Sequence, residues 1–136
     1  MLVEHARNLL GIEDAVHAES GSEGAKIITP LSCSLDGQQI EVTLTSGTLL
    51  SKLHGAAASV VEFTTCNYGL DPRRQDVAAD GGMVVSAVDG TGEVRAVERP
   101  DHPFFLATLY QPQLQSTSDR PHPIWLGFID AVADSR

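Results

Sequence analysis

HPFFLATLYQPQLQS at residues 102–116 and RPHPIWLGFIDA at 120–131 decide how the rest of this chain is read. Phe104 to Tyr110 is an apolar, aromatic run of strand length, closed by Gln111-Pro112. The residue before a proline is pushed to extended backbone, and the proline itself cannot donate to a ladder. Gln115 to Arg120 is polar and rich in Ser, Thr and Asp, which reads as a loop. Pro121 and Pro123 stand where a helix begins, because the first turn needs no backbone N–H from them. Trp125, Phe128, Ile129 and Val132 recur at helical spacing and predict one buried face.

Upstream, Leu2, Val3, Ala6, Leu9 and Leu10 fit one side of a short helix stopped by Gly11. Ile12 to Lys26 is polar and Gly/Ser-rich and reads as loop. Its Glu13, Asp14, His17 and Glu19 could be imagined around a metal, but ligands need a folded cage, so a solvated surface is expected. Ile27 to Leu31 reads as a short strand. Asp36-Gly37 is a hairpin-turn signal between it and Gln39 to Leu44, whose polar and apolar residues alternate. A capped helical turn is expected over Ser46–Leu53, closed by Gly55, then a strand over Ala58–Thr65 and a short helix over Arg73–Asp80. Met83–Val88 and Glu93–Glu98 alternate around Asp89-Gly90-Thr91-Gly92, the clearest hairpin pattern in the sequence. His102 and His122 flank prolines at element ends and read as structural loop histidines.

With 136 residues the chain has room for one domain and a modest core. A formal net charge of −9 argues against a nucleic-acid backbone as partner. No apolar run reaches membrane-spanning length and the N-terminus lacks signal-peptide order, so a cytoplasmic protein with no membrane contact is expected. Cys33 and Cys66 then read as free thiols.

The two stretches quoted first also resemble the end of the glutamine amidotransferase domain of CTP synthases, HPFFVATQFHPEF-S…PHPLFLGF. LVEHARNLLGIEDA at 2–15 is similar to that family's IEFARNVLGLEDA, the helix following its nucleophile turn. The resemblance implies an α/β fold: a partial class I glutamine amidotransferase-like, flavodoxin-like domain with antiparallel β-hairpins and a C-terminal helix, spanning 1–136. In the family a Cys-His-Glu triad hydrolyses glutamine for CTP synthesis. Here Gln111 and Gln113 stand at the His and Glu positions, and a carboxamide cannot take a thiol proton. No G-x-C-x-G elbow occurs in the sequence. Where the family carries E-R-H-R-H-R-Y, this chain has Glu62-Phe63-Thr64-Thr65-Cys66-Asn67-Tyr68. The loss of each positive charge there puts glutamine binding in doubt. Cys66-Asn67-Tyr68 and the Q-P-Q segment look closer to short proteins related to the CTP synthase C-terminal region, some of them selenoproteins.

The resemblance therefore implies a catalytically silent domain, needing no cofactor and no metal, that serves binding or interaction. Cys66, Asn67 and Tyr68 are its candidate ligand or reactive positions, though a Cys at a strand end is more commonly an inert thiol. The alternative is the rear half of a longer CTP synthase-like amidotransferase whose catalytic Cys lies upstream or on another chain. Either way a homodimer, or a partner protein supplying the missing sheet, is expected to cover apolar residues such as Val3, Leu10, Phe104 and Leu106.

Overall fold

The computed structural model describes residues 1–134. Among them, fourteen short elements are eight strands in two sheets, three α-helices and three 3-10 segments. The hairpin read from Asp89 to Gly92 is the centre of the larger sheet. Asp89 Oδ1 accepts from the Thr91 N–H at 2.8 Å and the Glu93 N–H at 3.1 Å, and Gly92 takes φ 83°. That turn joins β6 (Val84–Asp89) to β7 (Val94–Glu98). Around this pair, β3 (Gln38–Leu44), β4 (Ser59–Thr64) and β8 (Leu106–Thr108) complete an antiparallel sheet in the order β4-β3-β6-β7-β8. β7 is buried along its whole length, as the middle of a covered sheet must be.

The second sheet orders β1 (Ala15–His17), β2 (Ala25–Pro30) and β5 (Tyr68–Leu70). This corrects two sequence expectations. Part of the polar loop at 12–26 is a strand, because three residues suffice to pair in parallel with β2. Gly24 permits the return: its φ is 142°, and a Cβ there would lie 2.2 Å from the Asp14 carbonyl oxygen. Asp36-Gly37 does turn the chain, with Gly37 at φ 69°, but the strands it separates enter different sheets and do not pair.

Helix α1 (Leu2–Leu9) packs Ala6 into a core with Ile27, Val77 and Val97, and Gly11 ends it at φ 70°. Helix α2 (Leu49–Leu53) places Leu50 in a second core with Val42, Leu44 and Tyr110. Its N-terminus is capped twice. Thr48 Oγ1 accepts from the Ser51 N–H at 3.2 Å. The buried Glu98 carboxylate, reaching over from β7, accepts from Leu49 at 2.6 Å and Leu50 at 3.1 Å. The helix expected over 73–80 is a 3-10 segment, Pro72–Ala78, and the strand expected over 104–110 is ordered as β only at Leu106–Thr108.

The C-terminal helix α3 (Pro123–Asp134) starts where the prolines predicted, but its buried face is different. Ile124 is 7% exposed, and Gly127 lies so close to α2 that a Cβ would meet Leu53 Cδ2 at 2.3 Å. Small residues win this contact because they let two helices approach. Trp125, Phe128, Ile129 and Val132, expected inside, are 40–60% exposed, as is Leu126. Periodicity finds the apolar stripe but not its exposure: among the described residues it is covered only in part, as where the Phe104 ring stands 5.5 Å from that of Phe128.

One titration follows from the 3-10 segment. Asp71 is buried, accepts from the Arg73 N–H at 2.9 Å and pairs with the Arg73 guanidinium at 2.7 Å. Those bonds hold its carboxyl down at about 2, from an ordinary 3.8. A depressed folded-state value contributes stability above about pH 4 that is lost as pH falls toward 2. Urea midpoints of wild type and Asp71→Asn should differ by a constant amount above pH 4 and converge toward pH 2. A gap that does not narrow would contradict this origin. Its size will be modest, since Arg73 is largely exposed.

Candidate functional site

Residues Gln111 and Gln113 lie in the turn after β8, at the mouth of a cleft of about 550 Å³ lined also by Phe104, Phe105, Tyr110, Trp125 and Phe128. Gln113 is exposed. Gln111 is half-buried and fully engaged: its Oε1 accepts from the Thr65 N–H at 2.7 Å and its Nε2 donates to Cys66 Sγ at 3.3 Å. Its backbone N–H donates to the Phe63 carbonyl at 2.9 Å. Gln115 continues the pattern, with Oε1 accepting from the Phe63 N–H at 2.9 Å. The amides of 111 and 115 thus bond to the outer rim of β4. A side chain at position 111 acting as base would need that nitrogen free; here it is a fixed donor.

Cys66 and Asn67 lie in the crossing from β4 to β5, between the two sheets, and Tyr68 opens β5. The Cys66 N–H donates to Thr64 Oγ1 at 3.1 Å, and the thiol is half-buried and outside any disulfide, as is exposed Cys33. Asn67 accepts from the Ser34 hydroxyl, and its carbonyl accepts from Leu31 N–H at 2.9 Å. The Tyr68 ring lies 5.0 Å from that of His17. Of the three candidates, Cys66 alone is brought into contact with a degenerate catalytic position. The acidic cluster at 13–19 bonds to backbone: Asp14 Oδ2 accepts from Ala25 N–H at the start of β2, and His17 Nδ1 from Glu19 N–H in a local turn.

A further constellation went unread in the sequence. Glu62 points inward from β4, 2% exposed, and faces two imidazoles. His122 Nε2 lies 3.0 and 3.2 Å from its two oxygens, and His54 Nε2 lies 3.9 Å from Oε1. The two rings meet edge-on at 5.4 Å. His122 immediately precedes α3, and its Nδ1 accepts from the Ile124 N–H at 3.3 Å. That contact fixes the tautomer: Nε2 carries the proton and donates it to Glu62. Burial holds the His54 imidazole below its ordinary value; the Glu62 charge opposes that and His122 reinforces it. Tyr110, buried nearby, is raised by the same burial and by Glu62. The signal was present in β4, where Val60, Glu62 and Thr64 share the inward face; an inward carboxylate requires partners.

No protein-family model matches the chain. Fold and site together define a domain of the class I glutamine amidotransferase, flavodoxin-like type. Within that class the chain is homologous, over nearly its whole length, to the C-terminal glutaminase part of CTP synthases. It is 32% identical over 142 residues to the CTP synthase of Saccharolobus solfataricus, covering 97% of this chain and 26% of that protein. With the Aeropyrum pernix CTP synthase it shares 35% over 147 residues, 99% of this chain and 27% of the relative. The chain therefore spans about a quarter of the length of the curated relatives it matches. The Trypanosoma brucei CTP synthase glutaminase domain, solved with bound acivicin, superposes with a TM-score of 0.89 at 27% identity, over 98% of this chain and 56% of that one. A protein of Thermoplasma acidophilum described as part of a GMP synthase, at TM-score 0.60 and 16% identity over 80% of this chain and 49% of that one, shares the fold alone.

Removing the acceptor from a buried neutral donor leaves that donor unsatisfied, at about 1–3 kcal/mol. Glu62→Ala should lower the urea-derived unfolding free energy by that order, since it strips His122 of its acidic contact. A loss under roughly 1 kcal/mol would mean that the pair is incidental.

Proposed function

We propose that this chain is a catalytically silent amidotransferase-like domain whose role is binding, through the cleft and the uncovered face of α3. The observation that carries the reading is the stripe of Trp125, Leu126, Phe128, Ile129 and Val132, each 40–60% exposed on one short helix beside that cleft. Soluble surfaces rarely carry so continuous an apolar strip without a partner. Completing the burial of a large apolar side chain contributes on the order of 1.5–3 kcal/mol from full exposure, and about half of that from the half-covered state here. Five such side chains are sufficient for a specific contact, and a second copy of this chain, apposed about a two-fold axis, is the occupant we favour.

Silence is supported by the residues at the working positions. Gln111 and Gln113 offer no titrating base, and the Gln111 amide is committed to Thr65 and Cys66. A second reading has its own support. The Trypanosoma brucei glutaminase chain is nearly twice as long as the part this chain matches, so the α3 stripe is also a fitting seat for further amidotransferase sequence, supplied upstream or by another chain.

Sedimentation at micromolar concentration distinguishes them. The purified chain should run as a dimer, and Ile129→Asp with Trp125→Asp should return it to monomer. A folded wild-type monomer with a cooperative melt would overturn the homodimer. Ammonia release from glutamine should equal that of a heat-treated control, and any excess that depends on Cys66 would overturn silence.

A further inference from the structure

We propose that His54, Glu62 and His122 form a site for one divalent transition-metal ion, zinc by its chemistry, that joins α2, β4 and the start of α3. The three come from separate elements yet offer donor atoms that all lie within 4.8 Å of one another. Tetrahedral ligands at zinc distances stand about 3.4 Å apart. Glu62 and His122 are already at 3.0–3.2 Å, and His54, 3.9 Å from Glu62 and within 4.8 Å of the other donors, has to close in on them.

An independent observation points the same way. His54 Nε2 is buried, its side chain 9% exposed, and it has no hydrogen-bond partner among the described residues. It is aimed at Glu62 from beyond hydrogen-bonding distance. A buried ring nitrogen left so is an exception that needs a cause. As a metal ligand it has one. Two imidazoles and one carboxylate suit zinc, cobalt or nickel and not calcium or magnesium, which take all-oxygen shells. Three protein donors leave a fourth position that a water can complete.

One local cost must be met. His122 Nδ1 accepts from Ile124 N–H, so its Nε2 proton now faces Glu62. Ligation through Nε2 requires the other tautomer, with the proton on Nδ1, and gives up that 3.3 Å contact. Two hydrogen bonds, from Ile124 N–H to Nδ1 and from Nε2 to Glu62, are exchanged for three metal–ligand bonds, so the balance favours the ion. No electrons move and no bond to carbon changes.

The experiment titrates the chelator-stripped full chain with Co²⁺, reading the visible absorption of tetrahedral cobalt, and then competes with Zn²⁺ against a chromophoric chelator. Wild type should take up one equivalent, with the cobalt band displaced by zinc. His54→Ala should weaken binding by at least ~10-fold, the lower end of what loss of a supporting metal contact costs. His54→Phe keeps the edge-on ring contact with His122 and serves if the alanine variant does not fold by circular dichroism. His17→Ala, removing a histidine remote in sequence from the cluster, should bind as wild type. Absence of a cobalt band in wild type overturns the proposal. So does a band unchanged in folded His54 variants, which would place the ion on surface histidines.

Discussion

A single buried carboxylate organises the C-terminal third of this molecule. Glu62 has to be satisfied because it points into the protein from the inward face of β4. The group that satisfies it, His122, is itself held by the first turn of α3 and by Ser116, whose hydroxyl accepts from the His122 N–H at 3.0 Å. Moving Glu62 would therefore disturb the loop, the helix start and the strand together. The direction in which α3 leaves the sheet follows from this one contact, and with it the side of the helix that faces outward. Gly127 then sets how close the helix lies to α2.

Glu98 plays a similar part at the other end. It caps α2 from β7, forty-nine residues away in sequence, and so fastens that helix to the most deeply buried strand. Both carboxylates use the same physics: an inward acid on a strand finds donors on a helix terminus or an imidazole and ties two layers together. Polar burial of this kind specifies position where two small hydrophobic cores would leave the packing loosely defined.

Features whose signal is local could be read from the sequence. The Asp89–Gly92 turn, the Gly11 stop, the capped turn over 46–53 and the proline start of α3 each lie within a few residues of what they determine. β1 could not, since a three-residue parallel strand has no period to detect and depends on Gly24 for its return. Nor could the exposure of the α3 stripe, because spacing shows which residues are apolar but not whether anything covers them. Within the site, the motif singles out Gln111 and Gln113 as the altered positions, yet the contact of Gln111 with Cys66 emerges only in three dimensions. His122 read as a loop histidine for the same reason: its partner lies sixty residues away.

The glutamines after β8 have one more consequence. A strand at the margin of a sheet is a template on which another chain can add itself and begin to aggregate. On and just beyond β4, four outward groups are occupied: Val61 carbonyl by Gln115, Phe63 N–H by Gln115, Phe63 carbonyl by the Gln111 backbone, and Thr65 N–H by the Gln111 side chain. Two side-chain amides stand in for a sixth strand. The position to which the family resemblance assigns chemistry is occupied here in closing the margin of the sheet.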